Sequence, residues 1–241
     1  GEVGAGRMLE PAVIADGVMH PQDGPLAGKR VVITAGPNRE PIDPVRYLTN
    51  RSSGNMGYAI AAAAREAGAQ VTLVSGPVAL SPLEGVDLIS VETAEEMAEA
   101  VDAVVADADV FISSAAVSDY RPATCAREKI KKKHDSMSLD LTRNPDILAA
   151  VSARDDRPFT VGFAAETHSV LENARGKLER KKLDLIIANQ VGRNLAFDRD
   201  DNAATALWAD GERVFVQQPK TTLARELISC IAKRFKESDR D

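Results

Sequence analysis

The residues best suited to chemistry in this 241-residue chain precede its first long helix-forming run. They are Asn50 and a stretch of small and polar residues, Ser52, Ser53, Gly54, Asn55, Met56 and Gly57. Small residues let a ligand approach the backbone, hydroxyls and amides offer hydrogen bonds, and a helix N-terminus presents unpaired N–H groups. The pattern predicts a phosphate-binding loop, although a simple helix cap would use the same residue types.

A proline-rich segment, residues 36–50, leads into that loop. It is longer than most connections between a strand and a helix, and such long connections are usually functional. Its prolines restrict the path of the backbone. We therefore expect Arg46 and Asn50 to be delivered to fixed positions, and Asn50, which has no evident packing role, to contact a ligand.

A second polar group follows an apolar strand pattern that ends at Ser114. Residues 115–121, Ala-Ala-Val-Ser-Asp-Tyr-Arg, lie where open α/β sheets place ligands, at the carboxyl ends of strands. A basic run at 127–133 comes next. Residues 131–133 are best explained as a solvated face, whereas Lys129 lies at the edge of the loop and could close over an anion as a mobile point charge.

Neither of two common nucleotide motifs occurs in the chain. The turn at residues 34–38 lacks Gly-x-Gly-x-x-Gly, and the second strand ends without the acidic residue that binds a ribose. Residues 24–30 have glycines spaced one residue too closely for a P-loop, and they precede the strand. An NAD(P)-dependent oxidoreductase is thus the weaker alternative, followed by a noncatalytic nucleotide-binding module.

Alternating strand and helix patterns must position these groups. Strand patterns cover residues 30–34, 71–75, 87–91, 109–114, 160–164 and 183–188, with helix patterns at 56–67, 93–106 and 169–182. A capping box at Thr93 opens the second helix, and Asn144 is expected to cap another, with Pro145 at its first position. The succession predicts an α/β fold, a doubly wound, mostly parallel, Rossmann-like sheet.

The C-terminal part departs from this alternation. Residues 206–216 predict a β-hairpin with Asp210-Gly211 as its turn. A last helix with apolar residues at four-residue steps follows, and Thr221 or Thr222 is expected to cap it. The sequence therefore predicts a small hairpin added to the parallel sheet.

Composition limits the organisation and the partners. Residues 1–28 read as a linker or tail, 29–236 as one catalytic domain and 237–241 as a frayed tail. The net charge of −6 argues against a general nucleic-acid partner, yet residues 121–133 hold six basic and one acidic residue, and 175–182 hold five and one. Such segments suit one small, highly charged nucleotide.

Compartment follows from two further features of the sequence. No apolar run approaches the roughly 20 residues needed to cross a bilayer, so no membrane is expected. The two cysteines, Cys125 and Cys230, give neither a disulfide framework nor a zinc-site spacing. We therefore expect a cytoplasmic protein.

Five sequence blocks together resemble the phosphopantothenoylcysteine synthetase family. They occur in the family's order, at residues 35–57, 115–121, 128–131, 144–147 and 162–167. The resemblance implies a ligase of coenzyme A biosynthesis that joins 4′-phosphopantothenate to L-cysteine. Bacterial members use CTP through an acyl-cytidylate, releasing pyrophosphate and CMP. It also implies that residues 1–28 lead from a fused decarboxylase, and that FMN belongs to that domain alone.

The resemblance assigns roles to individual residues. Asn50 would bind the acyl-cytidylate and help its conversion to product with Arg46 in support, and the loop at 52–57 would hold phosphate. Lys129 would steady the triphosphate in the first step. The positions expected to contact CTP are Ser113, Ser114, Ala115, Asp119, Pro145, Asp146, Ile147, Leu148, Phe163, Lys177 and Lys181.

Several of these assignments have structural alternatives. Phe163 could belong to the core, and Lys177 and Lys181 share a helical face, as many solvent-exposed lysines do. Ala115 and Ala116 are expected to contact substrate. Mg²⁺ is expected to arrive with CTP, with Asp119 as its candidate ligand. The family resemblance also implies a homodimer whose site is completed by the C-terminal hairpin or the long loop.

Overall fold

The computed structural model describes residues 24–132, 135–166, 168–190 and 201–238. Its strands are β1 (Arg30–Ala35), β2 (Arg39–Pro41), β3 (Tyr47–Thr49), β4 (Gln70–Ser75), β5 (Asp87–Ser90), β6 (Val110–Ser113), β7 (Tyr120–Pro122), β8 (Leu141–Arg143), β9 (Phe159–Glu166), β10 (Leu185–Gln190), β11 (Asp201–Trp208) and β12 (Gly211–Pro219). Its helices are α1 (Asn55–Glu66), α2 (Ala94–Val105), α3 (Ile147–Ser152), α4 (Val170–Arg180) and α5 (Lys220–Ser238).

The main sheet has eight strands in the order β12-β11-β10-β9-β6-β1-β4-β5. The six neighbouring strands β5, β4, β1, β6, β9 and β10 run parallel, whereas β11 and β12 are antiparallel. Counted along the chain, the parallel strands have the order 3-2-1-4-5-6, the order of doubly wound dinucleotide-binding folds. This confirms the predicted Rossmann-like fold class with a C-terminal hairpin.

Helices cover both faces of this sheet. On one face α1 packs against α5, and Ile60 and Leu227 are fully buried between them and the strands. On the other face α2, α3 and α4 bury side chains such as Met97 and Leu178. Because both faces are covered, the parallel strands are apolar along most of their length, as residues 31–35 show.

The helix starts confirm one predicted cap and correct another. At α2 the predicted capping box is present, since Thr93 Oγ1 accepts the N–H of Glu96 at 3.1 Å and the Glu96 carboxyl accepts the N–H of Thr93. At α3 the predicted cap is wrong. Asp146 is the N-cap and accepts the N–H of Ala149 at 3.0 Å, while the side chain of Asn144 is bonded elsewhere.

The hairpin is confirmed, but its turn lies one residue earlier than predicted. Gly211 pairs with Trp208 as the first residue of β12, so the turn consists of residues 209 and 210. A Cβ on Gly211 would lie 2.8 Å from the indole of Trp208. The glycine is therefore explained by close packing against Trp208, not by the conformation of the turn.

The predicted cap of the last helix is also wrong. Helix α5 begins at Lys220, directly after the last residue of β12, so Thr221 and Thr222 lie inside its first turn. Its predicted apolar face is confirmed by Leu223 and Ile231, which are fully buried.

The packed region is slightly longer than the predicted domain. Leu26 is 1% exposed within the core, and its N–H donates to the carbonyl of Ala67 at 3.0 Å. Helix α5 continues through Ser238. The rest of the predicted linker, residues 1–23, and residues 239–241 lie outside the described residues. None of the helices described is long and apolar enough to cross a membrane.

Candidate active site

The point where the strand order reverses lies between β1 and β6, and it brings two predicted segments together. The loop after β1 meets the loop after β6 through a bridge between Pro37 and Ala116, in which the Ala116 N–H donates to the carbonyl of Gly36 at 2.9 Å. Gly36 has a φ of 75°, which favours glycine, and a Cβ there would lie 2.9 Å from a methyl group of Val78. Ligands of open α/β sheets bind in this crevice.

A cavity of about 400 Å³ opens beside these loops. It is lined by ten of the positions expected to contact CTP, namely Ser113, Ala115, Asp119, Pro145, Asp146, Ile147, Leu148, Phe163, Lys177 and Lys181. Residues that are far apart in the sequence therefore line one cavity. Five further residues line the cavity, and none of them was individually expected to contact CTP: Val117, Ser118, Tyr120, Arg143 and Asn144.

Two lysines and a carboxyl group set the electrostatics of the cavity. Lys181 pairs with Asp146 at 2.7 Å, and Lys177 Nζ donates to the carbonyl of Phe163 at 3.4 Å. Burial lowers the pKa of Lys177, with the nearby charge of Lys181 acting in the same direction. Burial alone would raise the pKa of Asp146, but the hydrogen bonds from Lys181 and the Ala149 N–H lower it below its usual value. A bound anion would offset the cost of burying the Lys177 charge.

Phe163, Lys177 and Lys181, for which the sequence also allowed purely structural roles, all line the cavity. Phe163 is half-buried, packs against the core and also lines the cavity. Lys177 of α4 and Lys181, the C-cap of that helix, both line the cavity, and the Lys181 side chain is only 14% exposed. The two lysines are therefore not ordinary solvent-exposed residues of a helix.

The small-residue loop before α1 forms a helix N-terminus without a side-chain cap. Gly54 is the N-cap with a φ of 78°, and its N–H donates to Ser52 Oγ at 3.3 Å. Asn55 and Met56 open the helix. Because no side chain caps α1, a simple capping role does not account for this loop. These residues do not line the cavity, and their phosphate-binding role stays a prediction.

Two predicted positions next to this loop serve mainly in packing. A Cβ on Gly57 would lie 2.5 Å from the Cβ of Ala35, so the glycine lets α1 approach β1 closely. Ser114 Oγ donates to the carbonyl of Thr34 at 2.6 Å, so this hydroxyl is already bonded within the sheet.

Asn50 contacts the loop after β6 directly. Its Nδ2 donates to the carbonyls of Ala116 at 3.2 Å and Val117 at 3.1 Å. Both amide hydrogens are therefore engaged by backbone, and the Oδ1 atom is the part of the side chain left to accept a hydrogen bond from a ligand.

Arg46 is held by a buried carboxyl group. Asp43 accepts from Arg46 Nε and Nη2, at 3.1 and 2.5 Å, and from the N–H groups of Val45, Arg46 and Ile130. Arg46 Nη2 also donates to the carbonyl of Ile130 at 3.0 Å. The hydrogen bond from Arg46 and the backbone N–H groups hold the pKa of Asp43 far below its usual value, against the opposing effect of burial. Arg46 and Asp43 thus tether the segment that carries Lys129.

Lys129 itself is exposed and does not line the cavity. It makes no hydrogen bond or ion pair with the described residues, so its position beside the tethered Ile130 leaves its ammonium group free to move. Within the described ranges there is also no group of three or more His, Cys, Asp or Glu that could hold a metal ion.

Asn38 and Glu40 are buried polar residues for which the sequence predicted no role. They lie in the proline-rich segment, and hydrogen bonds connect them to the cavity loop through Ser118. Periodicity gives no signal for such residues, because their partners are distant in sequence: Ser118 is 80 residues from Asn38, and Ala94 is 54 residues from Glu40.

The chain is similar to known proteins over both the main sheet and the cavity. The family model described as "DNA/pantothenate metabolism flavoprotein C-terminal domain" matches residues 26–235. The chain belongs to this family. The match spans the main sheet and every residue of the cavity, and it confirms the family resemblance drawn from the five sequence blocks.

Members of the family with known names are similar over most of the chain. The Coenzyme A biosynthesis bifunctional protein CoaBC of Vibrio vulnificus is 53% identical over 238 residues, covering 96% of this chain and 59% of that protein. The chain thus spans about three fifths of the curated relative. A crystal structure of the C-terminal domain of CoaBC is 40% identical, with a TM-score of 0.76, and covers 89% of this chain and 100% of that one.

The fold is also shared with a more distant protein. A Cab2 variant in complex with phosphopantothenate-cysteine has a TM-score of 0.71 at 16% identity, and the match covers 88% of this chain and 89% of that one. At this identity the likeness shows the fold alone.

Proposed function

We propose that the chain is a CTP-dependent ligase that joins 4′-phosphopantothenate to L-cysteine in coenzyme A biosynthesis. The observation that carries the proposal is the cavity, in which positions from separate sequence blocks of the synthetase pattern surround one space beside the strand-order reversal. The family and the similarity to the C-terminal domain of CoaBC support it. The cavity volume of about 400 Å³ suits one nucleotide.

The proposed chemistry has two steps. A carboxylate oxygen of phosphopantothenate attacks the α-phosphorus of CTP, forming a P–O bond while the bond to pyrophosphate breaks. The cysteine amine then attacks the acyl carbon, a C–N bond forms, CMP leaves and the amine loses a proton. Carboxylates and phosphates repel one another, so the protein's task is to position the reactants and to offset negative charge.

Residues that line the cavity and residues of the loops outside it would share this task. In the cavity, Lys177 and Lys181 would meet the negative charge of the nucleotide, while Asp146 holds Lys181 in place when the site is free. Outside it, the mobile Lys129 would reach the triphosphate during the first step. Asn50, with its Oδ1 free to accept, would hold the acyl-cytidylate during the second.

Mg²⁺ is proposed as a companion of the triphosphate. The cavity offers two carboxyl groups, Asp119 and Asp146, and Mg²⁺ is commonly bound through one or two carboxylates together with substrate phosphates. The donor set fits this mode, with Asp119 as the residue that would hold the ion. When bound, the ion supplies charge neutralisation. FMN is proposed only for a fused decarboxylase, the other activity implied for the bifunctional relatives.

A homodimer is the proposed assembly. Large apolar side chains are exposed on the small sheets and next to them, at Val45, Tyr47, Tyr120, Met137 and Leu141. The hairpin strand β12 exposes Val214 and Val216 as well. Both regions suggested for dimer contacts therefore carry apolar surface. Sedimentation velocity gives the mass in solution, and a monomer at micromolar concentration would contradict this proposal.

The proposed compartment is the cytoplasm. Neither cysteine forms a disulfide, since Cys125 is exposed, Cys230 is buried and both are free thiols. Free thiols are typical of a reducing compartment.

Pyrophosphate release tests the function. Purified protein is mixed with phosphopantothenate, L-cysteine and Mg²⁺, and release is measured with CTP, with ATP and without nucleotide. We expect release with CTP that depends on phosphopantothenate and exceeds that with ATP. A folded protein without release would contradict the ligase, and NADPH binding in its place would favour the oxidoreductase that shares this strand order.

A further inference from the structure

Asn38 and Glu40 are two of the most deeply buried polar residues in the described chain, with exposures of 0% and 1%. Neither side chain reaches the cavity. A buried polar group is costly unless its hydrogen bonds are made, so the partners of these two residues explain why they are there.

Glu40 fixes the orientation of Asn38. One carboxyl oxygen of Glu40 accepts from Asn38 Nδ2 and from the N–H of Ala94, at 2.9 Å for the latter. Ala94 is the first residue of α2, where the helix dipole favours negative charge. Because Glu40 takes the amide nitrogen of Asn38, the oxygen of Asn38 must point the other way.

That oxygen holds the backbone of the cavity loop. Asn38 Oδ1 accepts the N–H of Ser118 at 2.7 Å. On the other side of the same residue, Asn144 Nδ2 donates to the carbonyl of Ser118 at 2.8 Å, and the Asn144 N–H donates to the carbonyl of Asp119 at 2.9 Å. Ser118 and Asp119 both line the cavity. Both peptide groups of Ser118 are thus clamped by asparagine side chains.

We propose that Asn38, oriented by Glu40, is a positioning residue for the nucleotide, because it sets the path of the cavity loop at Ser118 and Asp119. The inference rests on the proposed function for the identity of the nucleotide. It assigns Asn38 no contact with substrate. Its effect passes through one backbone hydrogen bond, and its loss shifts the carboxyl group of Asp119 and the loop around it.

Two substitutions separate positioning from stability. Asn38→Ala removes the acceptor for the Ser118 N–H, and we expect the KM for CTP to rise about tenfold with the KM for L-cysteine unchanged. Asn38→Asp keeps an oxygen facing Ser118 but places a second carboxyl group against Glu40, which costs stability. We therefore expect Asn38→Asp to melt at a lower temperature than Asn38→Ala and yet to have the lower KM for CTP.

Thr93→Ala is the matched control. It removes the cap of the same helix end that Glu40 contacts, and it leaves the cavity loop untouched. We expect a lower melting temperature and an unchanged KM for CTP. Hydrogen exchange followed by NMR supplies a readout that needs no activity, since the Ser118 amide should exchange faster in Asn38→Ala while the Ala116 amide, bonded to Gly36, keeps its protection.

The results distinguish a positioning role of Asn38 from a purely structural role. If the KM for CTP follows the melting temperature across the three variants, Asn38 has only a structural role and the inference is wrong. An unchanged KM in folded Asn38→Ala would overturn it too, as would an unchanged exchange rate at Ser118. A wild-type protein without ligase activity but with the expected exchange result would count against the proposed function alone.

Discussion

The two sides of the site are built in different ways. One side, the cavity wall, consists of residues 145–148 at the start of α3, Phe163 of β9, Lys177 of α4 and the C-cap of that helix, Lys181. The other side, the loop layer, consists of residues 36–50 and 115–132, with only two small sheets between irregular segments. Lys177, Lys181 and Asp146 of the wall line the cavity, whereas Asp43 and Arg46 of the loop layer are bonded to each other and to backbone.

The two sides of the site have different roles in the proposed reaction. Lys181 in the wall is held by Asp146 and is ready for a ligand before one arrives. In the loop layer, the carboxyl group of Asp43 accepts hydrogen bonds from Arg46 and from three backbone N–H groups. Asp43 therefore fixes the path of the layer and leaves Lys129 free to move. We infer that the lysines of the wall act mainly on nucleotide affinity. In the loop layer, Lys129 and Asn50 act on the rates of the two proposed steps, while Asn38 acts on affinity through the backbone of Ser118.

The largest expected effect compares one lysine from each side. Lys129→Gln should slow pyrophosphate release about a hundredfold with little change in the KM for CTP, because its charge acts while the triphosphate reacts. Lys181→Gln should raise the KM for CTP roughly threefold to tenfold and leave the rate at saturation nearly unchanged. Steady-state kinetics with varied CTP measures both.

Lys132→Gln is the control for this pair, since it removes an exposed lysine of the same basic run. Its kinetics should equal those of the wild-type protein. If Lys129→Gln raises only the KM, or if Lys132→Gln slows release equally, the division between the two sides is wrong.

A smaller effect is expected at Asn50. Asn50→Asp replaces the two N–H groups that hold the carbonyls of Ala116 and Val117, and it does not touch the cavity wall. Acyl-cytidylate formation should therefore be largely intact, while conversion to product falls at least about tenfold. Quenched single-turnover reactions measure both steps in one experiment, and the first step serves as the internal control. Equal survival of both steps would remove the role assigned to Asn50.

The wall was largely predictable from the sequence. The strand patterns located β6 and β9, on which Ser113 and Phe163 lie. The four-residue spacing placed Lys177 and Lys181 on one side of the helix that α4 and its C-cap form. These features depend on local periodicity, which a single sequence reveals. The cap of α3 was misassigned to Asn144 because both Asn and Asp are good caps, and a tertiary contact with Ser118 decided between them.

The loop layer was predictable only in outline. Its length and prolines indicated function, but the bonds from Asp43 to Ile130 and from Asn38 to Ser118 span about 80 residues of sequence. Short-range patterns carry no information about such partners. For the same reason nothing in the sequence indicated that the guanidinium group of Arg46, to which the family resemblance gives a supporting role, is bonded to Asp43 and to the carbonyl of Ile130.

The smallest effect concerns stability in acid, and it compares a carboxyl group from each side. The pKa values of Asp43 and Asp146 are both lowered in the folded protein, so each group stabilises the fold above its unfolded pKa of about 4, and that contribution is lost as pH falls below it. Asp43 has a fully buried side chain and accepts five hydrogen bonds, whereas the side chain of Asp146 is 52% exposed and accepts hydrogen bonds from Lys181 and the Ala149 N–H.

Urea denaturation of Asp43→Asn and Asp146→Asn at pH 7, 5 and 3 tests this contrast. At pH 7 Asp43→Asn should be clearly less stable than wild type, and the gap should narrow towards pH 3, because the wild-type carboxyl group then begins to bind a proton on unfolding. Asp146→Asn should lose less than about 1 kcal/mol at any pH, since solvent screens its pair with Lys181. Equal losses that do not change with pH would mean that the loop layer is held no more firmly by its carboxyl group than the wall is, and positioning by Asp43 could not then explain how Lys129 is delivered.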